Sequence, residues 1–225
     1  MLFPSSQIGF DFVYTITYLI AMFMALFVAT PIHEFAHAFA AKREGDFTAV
    51  AYKRYTLAFH KHFDWKGFLF LILFRFGWAK PVPVDERNFK RGRKSKFLVA
   101  AAGIIANLIL GTLFLFIYFF IIRFFPEVYS IPFYGLLLNE FLLISVSINF
   151  MLAFVNLLPI YPLDGFKIID SFSRYDNKFL DFMRRNSLFI FLIFSFTGLY
   201  YLYFSLTGEL LINGLTRLFI WILGF

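Results

Sequence analysis

The chain has 225 residues, of which 60% are hydrophobic and 23% aromatic, and its formal net charge is +7. Soluble globular domains contain far fewer apolar residues, so the composition excludes a soluble protein, including one that binds nucleic acid through this positive charge. The chain has no cysteine, which excludes disulfides and thiolate metal sites.

Uncharged segments long enough to cross a bilayer recur along the chain. They predict an all-α polytopic membrane protein with about five transmembrane helices in a single integral membrane domain, residues 1–225. We expect a three-helix core at about residues 12–43, 97–123 and 133–165, followed by C-terminal helices at 187–207 and 209–225.

Two shorter elements are predicted after the first core helix. Residues 45–63 alternate partly between polar residues and Thr, Val, Tyr or Phe, which indicates a small β element at the cytoplasmic membrane boundary. Its edge could bind an extended substrate peptide by strand addition. Residues 67–79 are too few for an ordinary span, and both flanking segments are basic and therefore cytoplasmic. We expect this segment to form a membrane re-entrant hairpin.

The same distribution of charge brings two polar motifs to one membrane face. A basic segment follows the first core helix, and another follows the third. The positive-inside rule therefore places the end of the first helix and the segment NLLPIYPLDG, residues 156–165, at the cytoplasmic face. We expect these two stretches to meet there.

The end of the first core helix carries the motif HExxH at residues 33–37. His33 and His37 are four residues apart, so they lie on one helical face and can bind a single metal ion. Glu34 lies between them in the position of a general acid/base. Ionisable residues inside an apolar span mark a functional site by default, so packing of two satisfied histidines is the weaker interpretation.

A catalytic zinc site needs a third protein ligand and an open position. Asp164 is the strongest candidate, because the Pro-interrupted segment before it and Gly165 after it can direct a carboxylate inward at membrane depth. His62 and Asp64 form the alternative pair, for which a structural or supporting role is expected. The other residues considered are His60, Glu140 and Asp170.

These motifs together resemble the site-2 proteases, intramembrane zinc metalloproteases, and specifically their compact bacterial branch without a PDZ domain. The resemblance covers nearly the whole chain. It rests on HEFAH at 33–37, residues 45–49, Arg54 with Thr56-Leu57, residues 62–64 with Gly67, GWAKPVPV at 77–84, Gly103 with Asn107, and NLLPIYPLDG at 156–165.

The resemblance implies a role for each matching residue. His33, His37 and Asp164 would bind one Zn²⁺, and Glu34 would be the catalytic acid/base. Asn156 would contact the substrate backbone, and Asn107 matches an asparagine of the middle core helix, which we assign to substrate binding. Ile104 and Trp65 stand where the family usually has proline, which affects the expected local backbone geometry.

The sequence therefore predicts an intramembrane zinc endopeptidase that hydrolyses peptide bonds in or near transmembrane segments. The expected partners are a transmembrane protein or peptide substrate, the lipid bilayer and a regulatory membrane partner of unknown identity; nucleic acid is not expected. The expected location is a bacterial cell membrane, with the active site near the cytoplasmic face. The alternatives are a membrane metal-ion transporter and a catalytically inactive membrane scaffold.

Overall fold

A computed structural model describes residues 12–74, 79–173 and 177–225 of the chain. In these residues the helices are α1 (Phe12–Arg43), α2 (Thr48–Ala51), α3 (Phe59–His62), α4 (Trp65–Phe74), α5 (Arg93–Phe124), α6 (Tyr134–Leu157), α7 (Asp164–Phe172), α8 (Lys178–Phe196), α9 (Leu199–Phe204) and α10 (Leu210–Leu223). Short 3₁₀ helices lie at Glu86–Asn88 and Pro126–Ser130, and a π-helical turn at Ser205–Glu209 joins α9 to α10.

The all-α class is confirmed for the described residues, but the predicted β element is wrong. Residues 45–63, all of which the structure describes, form α2 and α3 and contain no strand. Asp46 accepts hydrogen bonds from the backbone and the hydroxyl of Thr48, which favours a helical turn there. A strand also needs a partner, and the described residues offer none, so strand addition at this segment loses its basis.

The centre of the molecule is a bundle of α1, α5 and α6. Three fully buried alanines of α1, Ala21, Ala25 and Ala29, recur every four residues and face Ile144 and Ile148 of α6. Small residues at such positions let two helices approach closely where lipid offers no hydrophobic driving force. We call the end of the bundle where α1 and α6 finish and α5 begins the site end.

Within the described residues, four helical segments are long and apolar enough to cross a membrane: Phe12–Arg43, Arg93–Phe124, Tyr134–Leu157 and Leu202–Leu223. The first three contain the predicted core. The predicted C-terminal helices differ from those observed, because the backbone turns at Gly198, where φ is +75°, and divides the expected 187–207 helix. The last span continues through residue 209 instead of beginning there.

Helix α8 begins and ends at the site end of the bundle. Near its start, Arg184 pairs with Asp170 of α7 at 3.4 Å. Near its end, the Phe194 ring contacts Tyr203, whose ring contacts Phe154 in the last turn of α6. A helix of 19 residues is about 28 Å long. With both ends at one level, α8 lies across the bundle end and does not pass through it.

The predicted re-entrant hairpin falls partly outside the described residues, since residues 75–78 would contain its turn. Its first half is the apolar helix α4, whose N-terminus is capped by the Asp64 carboxylate through the backbone N–H groups of Lys66 and Gly67. On its far side, the Lys80 N–H donates to the His62 carbonyl at 2.8 Å. The chain before α4 and the chain at residue 80 therefore lie side by side at His62. The hairpin between them stays a prediction.

The orientation of α8 predicts the sidedness of the turn that follows it. We expect cysteines introduced at Asn177→Cys and Thr197→Cys, on either side of α8, to be labelled by an impermeant maleimide from the same membrane face. Glu127→Cys, in the loop between α5 and α6, is the control for the opposite face. The natural chain has no cysteine, so each label reports one position. Labelling of Thr197→Cys from the Glu127 face would show that α8 crosses the bilayer.

Candidate metal centre

Helix α1 carries three buried ionisable side chains near its C-terminal end. His33, Glu34 and His37 are each exposed by 7–8% of their surface, in a helix that continues without a break to Arg43. The four-residue spacing places both imidazoles on one face, where their ring centroids are 4.7 Å apart. Their Nε2 atoms are separated by 3.1 Å.

Asp164 completes the cluster from the first turn of α7. Its carboxylate Oδ2 lies 3.0 Å from His37 Nε2 and 3.4 Å from His33 Nε2. Gly165 makes this position possible, because a Cβ there would collide with the carbonyls of Leu157 and Leu158 at the end of α6. A side chain at residue 165 would push α7, and with it the carboxylate, away from the histidines.

The distances fit a tetrahedral zinc site. Zinc bonds to imidazole nitrogen or carboxylate oxygen are about 2.0–2.1 Å long, which places neighbouring ligand atoms about 3.3 Å apart. The three separations among His33 Nε2, His37 Nε2 and Asp164 Oδ2 are 3.0, 3.1 and 3.4 Å. Three protein ligands leave the fourth tetrahedral position open, as in catalytic sites.

The hydrogen bonds of His37 determine which of its nitrogens can bind a metal. Its Nδ1 lies 2.7 Å from the carbonyl oxygen of Val99, which can only accept a hydrogen bond. Nδ1 therefore carries the proton, and the lone pair of neutral His37 is on Nε2. This is the usual arrangement for a metal-binding histidine, whose second nitrogen donates to an oxygen.

For His33 the same result is reached through a chain of two asparagines. The Asn149 amide nitrogen donates to the Ser145 carbonyl at 2.8 Å, so its oxygen faces and accepts from the Asn107 amide nitrogen at 2.8 Å. The Asn107 oxygen then faces His33 Nδ1 at 2.5 Å. Because a backbone carbonyl ends the chain, every link has one direction, and Nε2 of His33 also presents a lone pair.

With both imidazoles neutral, the cluster therefore brings together three lone-pair atoms. Asp164 Oδ2 is a buried atom without a hydrogen-bond donor, while its other oxygen, Oδ1, accepts from Lys167 at 3.0 Å. An unpaired carboxylate oxygen in an apolar bundle is costly unless a cation lies beside it. The donor set, with two nitrogens and one oxygen, is suited to zinc.

Helix α5 packs against the histidines through a glycine. A Cβ at Gly103 would lie 2.6 Å from His33 Cε1 and even closer to His37 Nε2. Such distances do not occur in real structures, so any side chain at this position would displace the imidazoles. Gly103 and Asn107, one helical turn apart, together form the wall of the site on α5.

The carboxylate of Glu34 contacts the segment without helix or strand that follows residue 78. Its Oε2 accepts a hydrogen bond from the Val82 backbone N–H at 2.7 Å. Both groups are buried, and Val82 is 8% exposed. This contact holds one carboxylate oxygen of Glu34 in place beside the metal cluster.

The remaining predicted site residues lie in other positions. Asn107 is fully buried against His33, with both amide atoms hydrogen-bonded. Asn156 is half-buried in the last turn of α6, where its amide nitrogen donates to Leu152. His62 is buried and its Nε2 lies 2.8 Å from the Thr56 carbonyl, while Asp64 caps α4.

The other acidic ligand candidates are engaged elsewhere. Asp170 pairs with Lys96 at 2.6 Å and with Arg184. The Glu140 carboxylate is contacted by its neighbour Asn139 at 3.4 Å, and Arg123 donates to the Leu223 carbonyl. Among the described residues, His33, His37 and Asp164 form the group that can hold a metal ion.

Sequence reasoning missed Asn149 and the contact between Glu34 and Val82. Asn149 is fully buried and belongs to the apolar span α6. A polar residue inside a span is itself a signal, which could have identified it. The contact to Val82 is made by a backbone group, so no pattern of side chains in the sequence predicts it.

Comparison with known proteins agrees with this geometry. The family model described as Peptidase family M50 matches residues 21–133, half of the chain, which include HExxH, Gly103 and Asn107. The chain therefore belongs to peptidase family M50, a metalloprotease family of membrane proteins, and the predicted resemblance to the site-2 proteases is confirmed. The match ends before Asp164, so the place of Asp164 in the cluster rests on the structure.

A relative shows the same kinship. The protein named "Putative zinc metalloprotease YwhC" of Bacillus subtilis (strain 168) is 38% identical over 143 residues. The alignment covers 64% of this chain and 64% of that protein, slightly less than two thirds of its length. No solved structure matches the chain. Family membership implies zinc as the metal of the cluster.

The asparagine chain predicts that a residue with no metal contact affects zinc affinity. Asn149→Leu removes the group that orients Asn107, which then no longer holds His33 in one tautomer. We expect zinc affinity to fall about 10- to 100-fold, as for other groups that support a metal ligand. Competition with a chromogenic chelator measures this. Ser147→Ala, which removes an exposed hydroxyl of the same helix, should leave affinity unchanged; equal affinities for both variants would contradict the chain.

Proposed function

We propose that the protein is a zinc endopeptidase that hydrolyses peptide bonds in or near transmembrane segments of other membrane proteins. The observation that carries the proposal is the convergence of His33, His37 and Asp164 beside Glu34, inside helices apolar enough to span a bilayer. Ionisable residues are rarely retained at such a depth without a function.

The site lies within reach of water. His37 lies six positions before Arg43 at the end of α1, which is about 9 Å at helical rise. The basic residues of the site end favour the cytoplasmic side of a cell membrane. The relative in Bacillus subtilis favours a bacterial membrane. Water then enters from that side without crossing the bilayer, which a hydrolase in an apolar bundle requires.

A zinc ion held by the three ligands supplies Lewis acidity, polarising the scissile carbonyl and lowering the pKa of water toward ~7. The protein supplies the rest. Glu34 takes a proton from the attacking water and passes it to the leaving amine. With Val82 donating to Oε2, we assign this proton transfer to Oε1 of the same carboxylate.

The substrate has to present an unwound peptide to this site. A transmembrane helix hides its carbonyls in internal hydrogen bonds, so we infer that the segment around the cleaved bond is extended when bound. We assign Asn156 to binding this extended segment through its amide oxygen. Its amide nitrogen donates to its own helix, and the side chain is half-buried near the end of α6. Asn107 acts on His33 instead of the substrate.

Two measurements on one pair of proteins test this proposal. Wild type is expected to bind about one zinc ion and to cleave a single-span model substrate, whereas Glu34→Gln keeps the zinc and loses roughly 10²- to 10⁴-fold in cleavage rate, the usual contribution of a general acid/base. Zinc is measured by mass spectrometry and cleavage by gel.

Glu140→Gln is the matched control, because it alters a carboxylate of another helix outside the metal group. It should bind zinc and cleave as wild type does. Cleavage by Glu34→Gln at the wild-type rate would contradict the assigned role. Zinc binding by wild type without cleavage of any of a panel of spans would contradict the protease proposal and favour metal transport, which an ion-flux assay detects.

A further inference from the structure

The segment of residues 79–84 has no helix or strand, contacts the HExxH motif and is anchored on both sides. Lys80 N–H donates to His62 at one end. Beyond the other end, the fully buried Asp46 carboxylate accepts from the Asp85 N–H at 2.8 Å and from the Asn88 amide at 3.0 Å. The segment is thereby held over the end of α1.

Within this segment, one peptide unit connects two ionisable side chains. The N–H of Val82 donates to Glu34 Oε2 at 2.7 Å. The carbonyl of the same peptide unit, that of Pro81, accepts from Arg54 Nη2 at 3.3 Å, and the preceding carbonyl, that of Lys80, accepts from the same atom at 2.8 Å.

Arg54 is an unusual partner for two neutral carbonyls. Its side chain is buried, with 8% exposed, and it forms no ion pair with any carboxylate in the described parts of the chain. A buried cation without a counterion is costly, and here Nη2 donates to two backbone carbonyls while Nε is buried without a hydrogen-bond partner. Of these two carbonyls, that of Pro81 belongs to the peptide unit whose N–H faces the Glu34 carboxylate.

The arrangement has a defined electrostatic consequence. A cation at the carbonyl end of a peptide unit polarises it and makes its N–H a stronger donor, and hydrogen bonds linked in this way reinforce one another. Pro81 and Pro83 flank Val82 and carry no N–H, so the Val82 amide is the donor that this stretch can offer. Proline also restricts the backbone, which keeps that N–H aimed at Glu34.

We propose that Arg54 is a positioning residue for the catalytic glutamate, acting through the Pro81–Val82 peptide unit. It fixes Oε2 of Glu34, so that Oε1 is presented to water in one orientation. The proposal rests on the proposed function, in which Glu34 moves the proton. Its geometric part, that Arg54 strengthens the hydrogen bond between Val82 and Glu34, does not depend on catalysis.

Hydrogen exchange tests the geometric part without any assay of activity. A peptide covering residues 80–84 has backbone amides only at Lys80, Val82 and Val84, because the other two residues are prolines. Glu34→Ala should speed exchange of the Val82 amide by roughly tenfold or more for loss of its hydrogen bond, and Arg54→Met should speed the same exchange by weakening that bond. Arg54→Lys, which keeps a cationic donor, should exchange close to the wild-type rate, as should the exposed control Lys61→Met.

Kinetics test whether the contact serves catalysis. Arg54→Met and Val82→Pro, which deletes the N–H, should each lower kcat about 10- to 100-fold at unchanged KM and zinc content. Lys61→Met, at an exposed side chain away from this contact, should retain kcat. If Arg54 acts through Val82, the double variant loses no more than the larger single loss, because both remove one interaction.

The outcomes separate this proposal from the one on which it rests. Unchanged exchange at Val82 in Arg54→Met, or losses in kcat that multiply in the double variant, would overturn the proposed positioning role. A wild type that binds zinc but cleaves no substrate would overturn the protease function, while the exchange experiment would still report whether Arg54 supports the contact. A fall in zinc content in Arg54→Met would show a general structural role instead.

Discussion

The structure depends on one electrostatic constraint, which is the meeting of three lone-pair atoms in a nonpolar bundle. His33 Nε2, His37 Nε2 and Asp164 Oδ2 lie 3.0–3.4 Å apart, and in neutral imidazoles the hydrogen bonds of both Nδ1 atoms leave a lone pair on each Nε2. In water such a group would separate. Here the packing keeps it together, and a cation makes the arrangement favourable.

The bundle is built so that this constraint can be met. The alanines of α1 and Gly111 of α5 allow helix axes to approach closely, and Gly103 leaves room for both imidazoles. Gly165 likewise lets α7 approach the end of α6 closely, which brings Asp164 into position. The buried polar groups form directed chains that end in backbone carbonyls, so each histidine of the cluster, when neutral, is held in one tautomer as well as one place.

The sequence predicted the parts of this account that have a local signature. HExxH, the apolar spans and the proline-interrupted segment before Asp164 are visible in the amino-acid order, and charge placed both motifs at one membrane face. The prediction of a β element was wrong because alternation within residues 45–63 does not supply the partner strand that a sheet needs. The end of α8 was missed because one glycine with positive φ divides an otherwise continuous apolar run. Contacts such as Asn107–Asn149 and Glu34–Val82 join residues 42 and 48 positions apart, and no local pattern encodes them.

Zinc K-edge X-ray absorption on the purified membrane protein tests the central claim most directly. The account predicts about one zinc per chain in a four-coordinate shell of nitrogen and oxygen at about 2.0–2.1 Å, with scattering from two imidazoles, and loss of one light ligand in Asp164→Ala. A six-coordinate shell, a single imidazole, or a spectrum that Asp164→Ala leaves unchanged would contradict it.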